Sequence, residues 1–407
     1  MYLENGADYG RYMHDYIKRM CELGSRVPGS EEERRAAFIT AEIMKEFADE
    51  VKIEEFEVAP HAFLGWIKIA SPMLFLSLIF HFIYPLISSI LLLLIIAMFV
   101  GEFLLYYRLL DPFFPKKKSH NVIATIYPLK EVRQTLVFSG HIDSAFEFNF
   151  IRWFGKRGHT ILVELAIFVI ISFFVINFAT LLFGENKTLY YAFLLILFPG
   201  MPTSILFFFF TTWNGVPGAG DNLSAISVAM GVGEYLRRMR EKKETFPLHT
   251  KVVIAIFGSE ESGLRGSQAY IERHRDEVLS ENVVVVNMET IVSPQSLYIV
   301  TRDMNGIVPL SENIAVEMAE VMESMQIPYH EIKIPLGAGA TDAATFARHD
   351  IETTCIMGIN PYGKEEYLNH YHTRRDTPDK VDVKALIRAL QTCLGYLKMK
   401  DEIVSEK

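Results

Sequence analysis

Lys251–Glu261 reads KVVIAIFGSEE: an unbroken apolar run rich in β-branched residues, then Gly-Ser, then two carboxylates. A strand covered on both faces shows as a continuous hydrophobic run, not as an alternation, and such strands belong to parallel or mixed sheets. In open α/β sheets, ligands collect beyond the carboxyl ends of the strands. Glu260 and Glu261 therefore stand where chemistry is expected.

The pattern recurs on either side. Asn282–Val286 (NVVVV) is a second buried run, and Glu289 follows it. Gln134–Ser139 and Asn121–Ile126 read as strands, the first leading into His141-Ile142-Asp143. Glu31–Glu50 is patterned as an amphipathic helix, and Val51–Val58 alternates like a half-buried strand. Asp221 sits on the Gly-rich turn GVPGAGDN and is expected to open a helix through Ser227 to Arg240. His372 lies in the loop NHYHTRRDTPDK, ahead of a closing helix over Val381–Lys398. Alternating strands and helices predict an α/β fold with a mostly parallel or mixed sheet. Singly, these polar residues are weak signals, since a lone Asp before a helix is usually an N-cap. Five loops bringing His, Asp and Glu to one edge point to a metal or catalytic site.

Half of the 407 residues are hydrophobic, and the excess sits in two blocks, Ile67–Tyr107 and Thr160–Thr212. A helix needs about 20 apolar residues to cross the hydrocarbon core. The first block fits two helices joined near Tyr84-Pro85. The second splits at Gly184–Lys187 into Thr160–Phe183 and Leu189–Thr212. The expected organisation is a polar domain built from 1–65, 111–159 and 213–407, interrupted by transmembrane hairpins at 66–110 and 160–212. The hairpin turns carry only Lys187. The opposite ends carry Lys68, Arg108, Lys116, Lys117, Lys118, Arg152, Lys156 and Arg157. The positive-inside rule then predicts an integral membrane protein with its polar domain on the cytoplasmic side. Glu164 and Glu102 lie in or near these spans, where a carboxylate is a functional candidate by default, although Glu164 is close enough to its helix end to reach the interface.

A formal charge of −9 argues against a nucleic-acid partner, which calls for a basic face. Cys21, Cys355 and Cys393 are sparse and lack metal-type spacing, which suggests reduced thiols. The polar start MYLENGADYG has no apolar core of the kind a cleavable signal peptide carries. No oligomeric state follows from the sequence.

RVPGS (26–30), HID (141–143), GAGDN (218–222), GSEESGLRGS (258–267), NMET (287–290), TDAATF (341–346) and YHTRRDT (371–377) together resemble the M28 zinc peptidases. The resemblance implies a phosphorylase/hydrolase-like three-layer α/β/α domain and two Zn2+ ions bridged by Asp221. His141 and Glu289 would complete one ion's ligand set, and Glu261 and His372 the other's. Asp143 would hold the His141 ring, and Glu260 would be the general base. The chemistry agrees: imidazole and carboxylate suit zinc, and three carboxylates with one hydroxide balance two divalent ions. Thr341 and Asp342 occupy the position where the family shapes its substrate pocket, though a cap or turn role is equally open. Tyr371 and Arg374 flank His372 and are candidates for binding a carbonyl oxyanion. His330, His349 and His370 read as ordinary surface or packing residues. Asp376-Thr377-Pro378 reads as a helix cap without chemistry.

Two departures stand out. Glu289 occupies a place that is usually Asp in the aminopeptidases, which puts selectivity for a free α-amine in doubt. The loop from His141 to Asp221 also holds an entire apolar hairpin, which predicts a site near the bilayer. The substrate is then either membrane-borne (an N-acyl lipid, a lipopeptide) or an ordinary peptide met by an anchored peptidase. Alternatives are a glutaminyl-cyclase-like acyltransferase, whose sites resemble single-metal centres, and a non-catalytic receptor or chaperone subunit of the same fold. A transporter has no support from a broken-helix repeat.

Overall fold

The computed structural model describes residues 5–406 apart from positions 245, 281 and 296. The strands are β1 (Glu50–Val58), β2 (Lys117–Ile126), β3 (Gln134–His141), β4 (Phe146–Phe148), β5 (Thr211–Gly215), β6 (Thr250–Phe257), β7 (Val283–Glu289), β8 (Leu297–Asp303), β9 (Val308–Pro309), β10 (Tyr329–Lys333) and β11 (Glu352–Met357). The chain divides into two units. The first comprises 1–60, 116–145 and 215–407, and the second comprises 61–115 and 146–214.

In the first unit one mixed sheet runs β1-β2-β6-β3-β7-β11-β8-β10, with β9 paired to β8. Its centre, β6-β3-β7-β11, is parallel. The β2–β6 and β11–β8 pairings are antiparallel. Period-2 alternation explains why the central strands read as unbroken apolar runs. Val252, Ile254 and Ile256 of β6 enter one core, together with Leu136 and Phe138 of β3 and Val284 and Val286 of β7. Val253, Ala255 and Phe257, with Val137 and Val285, enter the other. The first core is closed by helices Gly6–Cys21, Glu31–Met44, Ser224–Glu241, Glu312–Ser324 and Val383–Ser405. The second is closed by Arg265–Ser280 and Asp342–Ala347, through Tyr270, Ile271 and Phe346. The result is the three-layer α/β/α fold expected from the sequence.

The second unit is mainly helical, with a small β4-β5 sheet. Among the described residues, four helices are long and apolar enough to cross a membrane: Ala62–Ile83, Pro85–Leu104, Asn149–Phe183 and Lys187–Phe208. Tyr84 separates the first two, and Pro85 at the first helical position suits a chain that restarts there. The third starts earlier than Thr160, at Asn149, and is broken at Gly155, whose φ of 69° is open chiefly to glycine. The four pack around Leu78, Leu92, Ile95, Val169, Phe173 and Phe193. Asn177 donates to the Pro85 carbonyl at 2.9 Å, and its amide oxygen lies 2.6 Å from His81 Nδ1. Glu102 is fully buried and accepts from the Leu110 amide, whereas Glu164 is exposed.

Candidate metal centre

Strand register places the first ligands. In β6-β3-β7, His141 lies opposite Phe257 and Ser139 opposite Asn287. The carboxyl ends of these strands therefore set Glu260-Glu261, His141 and Glu289 along one edge in that order. Asp221 comes from the turn Ala219–Leu223. Regular helix begins only at Ser224, not at Asp221, because Asp221 (φ −115°, ψ 94°) and Asn222 hold non-helical backbone. A Cβ on Gly220 would overlap the Tyr367 hydroxyl, so this turn requires glycine for close packing. Three non-glycine residues at the site have left-handed backbone: Ser259 (φ 55°), Thr290 (φ 48°) and His372 (φ 50°). Strain of this kind persists where surrounding structure enforces it.

The side chains meet around Asp221. His141 Nε2 lies 3.2 Å from Asp221 Oδ1 and 3.7 Å from Glu289 Oε2. His372 Nε2 lies 2.8 Å from Asp221 Oδ2 and 3.2 Å from Glu261 Oε1. Three clusters result, His141–Asp221–Glu289, Asp221–Glu261–His372 and His141–Glu260–Glu261, and within each the ligand atoms are all within 4.8 Å of one another. Asp221 belongs to the first two. Glu260, whose Oε2 stands 3.7 Å from His141 Nε2, belongs only to the third.

The donor chemistry fits divalent cations. Each triad offers nitrogen and oxygen donors at a spacing an ion can span, and zinc takes this mixture. Burying so many carboxylates together is costly unless cations balance them. Burial pushes Glu289 up to about 8 and, helped by Glu261 and Asp342, lifts Glu260 well above the usual carboxylate range. Burial pulls His372 down, but Glu261 and Asp221 outweigh it and set it at about 10. His141 is likewise raised against burial by Glu260 and Glu289. The two imidazoles hold Asp221 well below its ordinary value despite its burial.

Asp143 Oδ1 is 3.4 Å from His141 Nδ1, but the same carboxylate accepts the Glu260 amide at 3.0 Å and the Glu261 amide at 2.9 Å. It thus ties the His141 loop to the Glu260-Glu261 turn. Asn222 donates to Glu289 Oε2 at 2.8 Å and accepts from the Thr290 amide at 3.0 Å, a supporting role that the GAGDN motif alone does not disclose. The reading of Asp376 as a helix cap is corrected. Asp382 caps the last helix through the Lys384 amide. Asp376 instead accepts the Gly220 and Asp221 amides at 2.8 and 3.1 Å and so holds the turn that carries Asp221. Glu33, fully buried, accepts from the amide and hydroxyl of Ser259 at 2.8 and 2.9 Å and so holds the residue before Glu260.

The substrate candidates separate. Tyr371 stacks on the His372 ring, with centroids 4.0 Å apart and 16° between planes. Arg374 is exposed. Thr341 gives its hydroxyl to Asp303 Oδ2 at 2.6 Å and accepts the Ala343 amide, the cap-and-turn alternative. Asp342 is buried, and burial raises it to about 7.

Residues 206–397 match the model of peptidase family M28. The match begins after the second apolar hairpin; it contains Asp221, Glu260, Glu261, Glu289 and His372 but not His141. Aminopeptidase YwaD of Bacillus subtilis is 27% identical over 201 residues. That alignment takes in 46% of this chain and 39% of the relative, so it spans about two fifths of the relative's length. A zinc aminopeptidase structure from Bacillus subtilis superposes with a TM-score of 0.58 at 14% identity, covering 96% of this chain and 95% of that one. The Porphyromonas gingivalis glutaminyl cyclase gives 0.56 at 14% identity, covering 96% and 98%. At such identities these structures establish a shared fold.

Proposed function

We propose, on the premise that this chain carries a peptidase family M28 domain, that it is a membrane-integrated two-zinc hydrolase of amide or peptide bonds. One observation carries the reading: two complete ligand triads share Asp221. His141 and Glu289 would hold one ion with Asp221, and Glu261 and His372 the other. When bound, a zinc pair supplies Lewis acidity toward a water and a scissile carbonyl. Glu260 is the general base. Its carboxylate clusters with His141 of one triad and Glu261 of the other, and Asp143 accepts its backbone amide, which suits it to take a proton from water and return it to the leaving amine. Tyr371, stacked on His372, is the proposed partner of the carbonyl oxygen.

The four apolar helices support insertion in a bilayer. Leu195, Phe198, Phe183 and Leu86 are between 62% and 86% exposed on them, a cost in water that lipid removes. The flanking Lys and Arg favour a cytoplasmic catalytic domain. Since the second hairpin interrupts the chain between two proposed ligands, a membrane-borne N-acyl lipid or lipopeptide is a substrate class to set beside a peptide met by an anchored aminopeptidase. A glutaminyl-cyclase-like acyl transfer shares the fold. The second triad, built on His141 and Glu289, favours hydrolysis.

The test treats a native membrane extract with wild type or with Glu260→Gln and compares the products by mass spectrometry. Loss of the base should lower turnover by about 10²–10⁴-fold while both zinc ions stay bound. Lipid amides consumed only by wild type identify a lipid amidase or lipopeptidase. Soluble peptides trimmed at their N-termini identify an anchored aminopeptidase. Equal turnover by the two proteins removes Glu260 from the reaction.

A further inference from the structure

Arg26 is fully buried, and its guanidinium donates to four backbone carbonyls. Nε donates to Ile142 O at 2.9 Å, Nη1 to Pro217 O at 2.9 Å and Gly24 O at 3.4 Å, and Nη2 to Gly218 O at 3.1 Å. Its own backbone joins in: the Arg26 amide donates to Ser144 Oγ at 2.9 Å, and the Ser144 amide donates to Arg26 O at 3.0 Å.

These partners have a particular place in the chain. The first unit breaks off at Ala145 and resumes at Gly215, on either side of the second apolar hairpin. Ile142 and Ser144 lie just before the break and Pro217 and Gly218 just after it. Ile142 directly follows the ligand His141, and Gly218 opens the turn that carries the ligand Asp221. Covalently, the two ligands are separated by the entire insertion. The rigid planar fork of arginine, with its fixed set of donors, can bind both stems at once. A direct bond from Val216 N to Ala145 O at 3.0 Å closes the stems beside it.

The geometry points to Arg26 as a positioning residue that staples the two stems of the membrane hairpin and thereby fixes His141 against Asp221. It touches neither substrate nor metal. Its effect is to hold the two ligands together although the whole second hairpin lies between them in the chain. This inference rests on the two-zinc reading of the site.

The test is a zinc titration of the full-length protein in detergent, by chelator competition, with melting temperature recorded alongside. Arg26→Met keeps the bulk but loses the fork. Arg26→Lys keeps the charge and fewer bonds. The expected result is a folded Arg26→Met protein whose first zinc affinity is about 10–100-fold weaker, the range seen when groups that orient ligands are removed, with Arg26→Lys in between. A folded Arg26→Met protein with wild-type zinc affinity overturns the staple, as does an unfolded Arg26→Met beside an Arg26→Lys of wild-type affinity. Should neither arginine variant fold, Ser144→Ala, which removes the bond to the Arg26 amide, reads the same quantity. Weaker zinc binding there supports the staple and unchanged binding overturns it. Wild type that takes up no zinc defeats the two-zinc reading itself, a different failure.

Discussion

His372, set at about 10 by Glu261 and Asp221 against its burial, and Glu289, raised to about 8 by burial, both carry protons in the metal-free protein at neutral pH. Zinc requires a bare imidazole and a bare carboxylate, so binding expels those protons. The sign follows: apparent zinc affinity should climb as pH rises from 6 to 8, by about tenfold per unit for each proton released. Chelator-competition titrations at pH 6, 7 and 8 check this, and a flat profile contradicts the assigned protonation. These candidate ligands were legible in the sequence because each sits in a short contiguous motif, Glu289 at a strand end and His372 in the loop before the last helix. Their supports were not. Asp376 acts on Asp221 across 155 residues, Asn222 on Glu289 across 67, and Glu33 on Ser259 across 226. An acid beside Thr-Pro looks like a helix cap until the fold shows which amides it faces.

At the level of elements, the turn carrying Asp221 depends on close packing against Tyr367. Gly220→Ala forces a methyl into that contact, and overpacking of this kind costs about 1–3 kcal/mol. The variant should melt at a lower temperature than wild type and bind zinc more weakly. An unchanged melting temperature would mean that the turn relaxes freely. The central strands were readable because burial on both faces leaves unbroken apolar runs. The sheet's far side was not: β8 (LYIVTRD) and β10 (YHEIK) mix charged with apolar residues, and β10, at the sheet's end, is only partly covered. The third apolar helix was placed late at its start, since Asn149–His159 is polar enough to hide a helix that Gly155 interrupts.

For the molecule as a whole, two apolar insertions interrupt a soluble-type hydrolase fold. If the four helices span a bilayer, the protein should stay in the membrane fraction after washing with high salt and alkaline carbonate, leaving it only in detergent. Release by carbonate would make the association peripheral. The catalytic account stands or falls on the metals. X-ray data collected on either side of the zinc absorption edge, from crystals of the zinc-loaded full-length protein, test it most directly. The account predicts two anomalous peaks, one among His141, Asp221 and Glu289 and the other among Asp221, Glu261 and His372, with Asp221 touching both. A single peak, or two peaks that do not share Asp221, would contradict it.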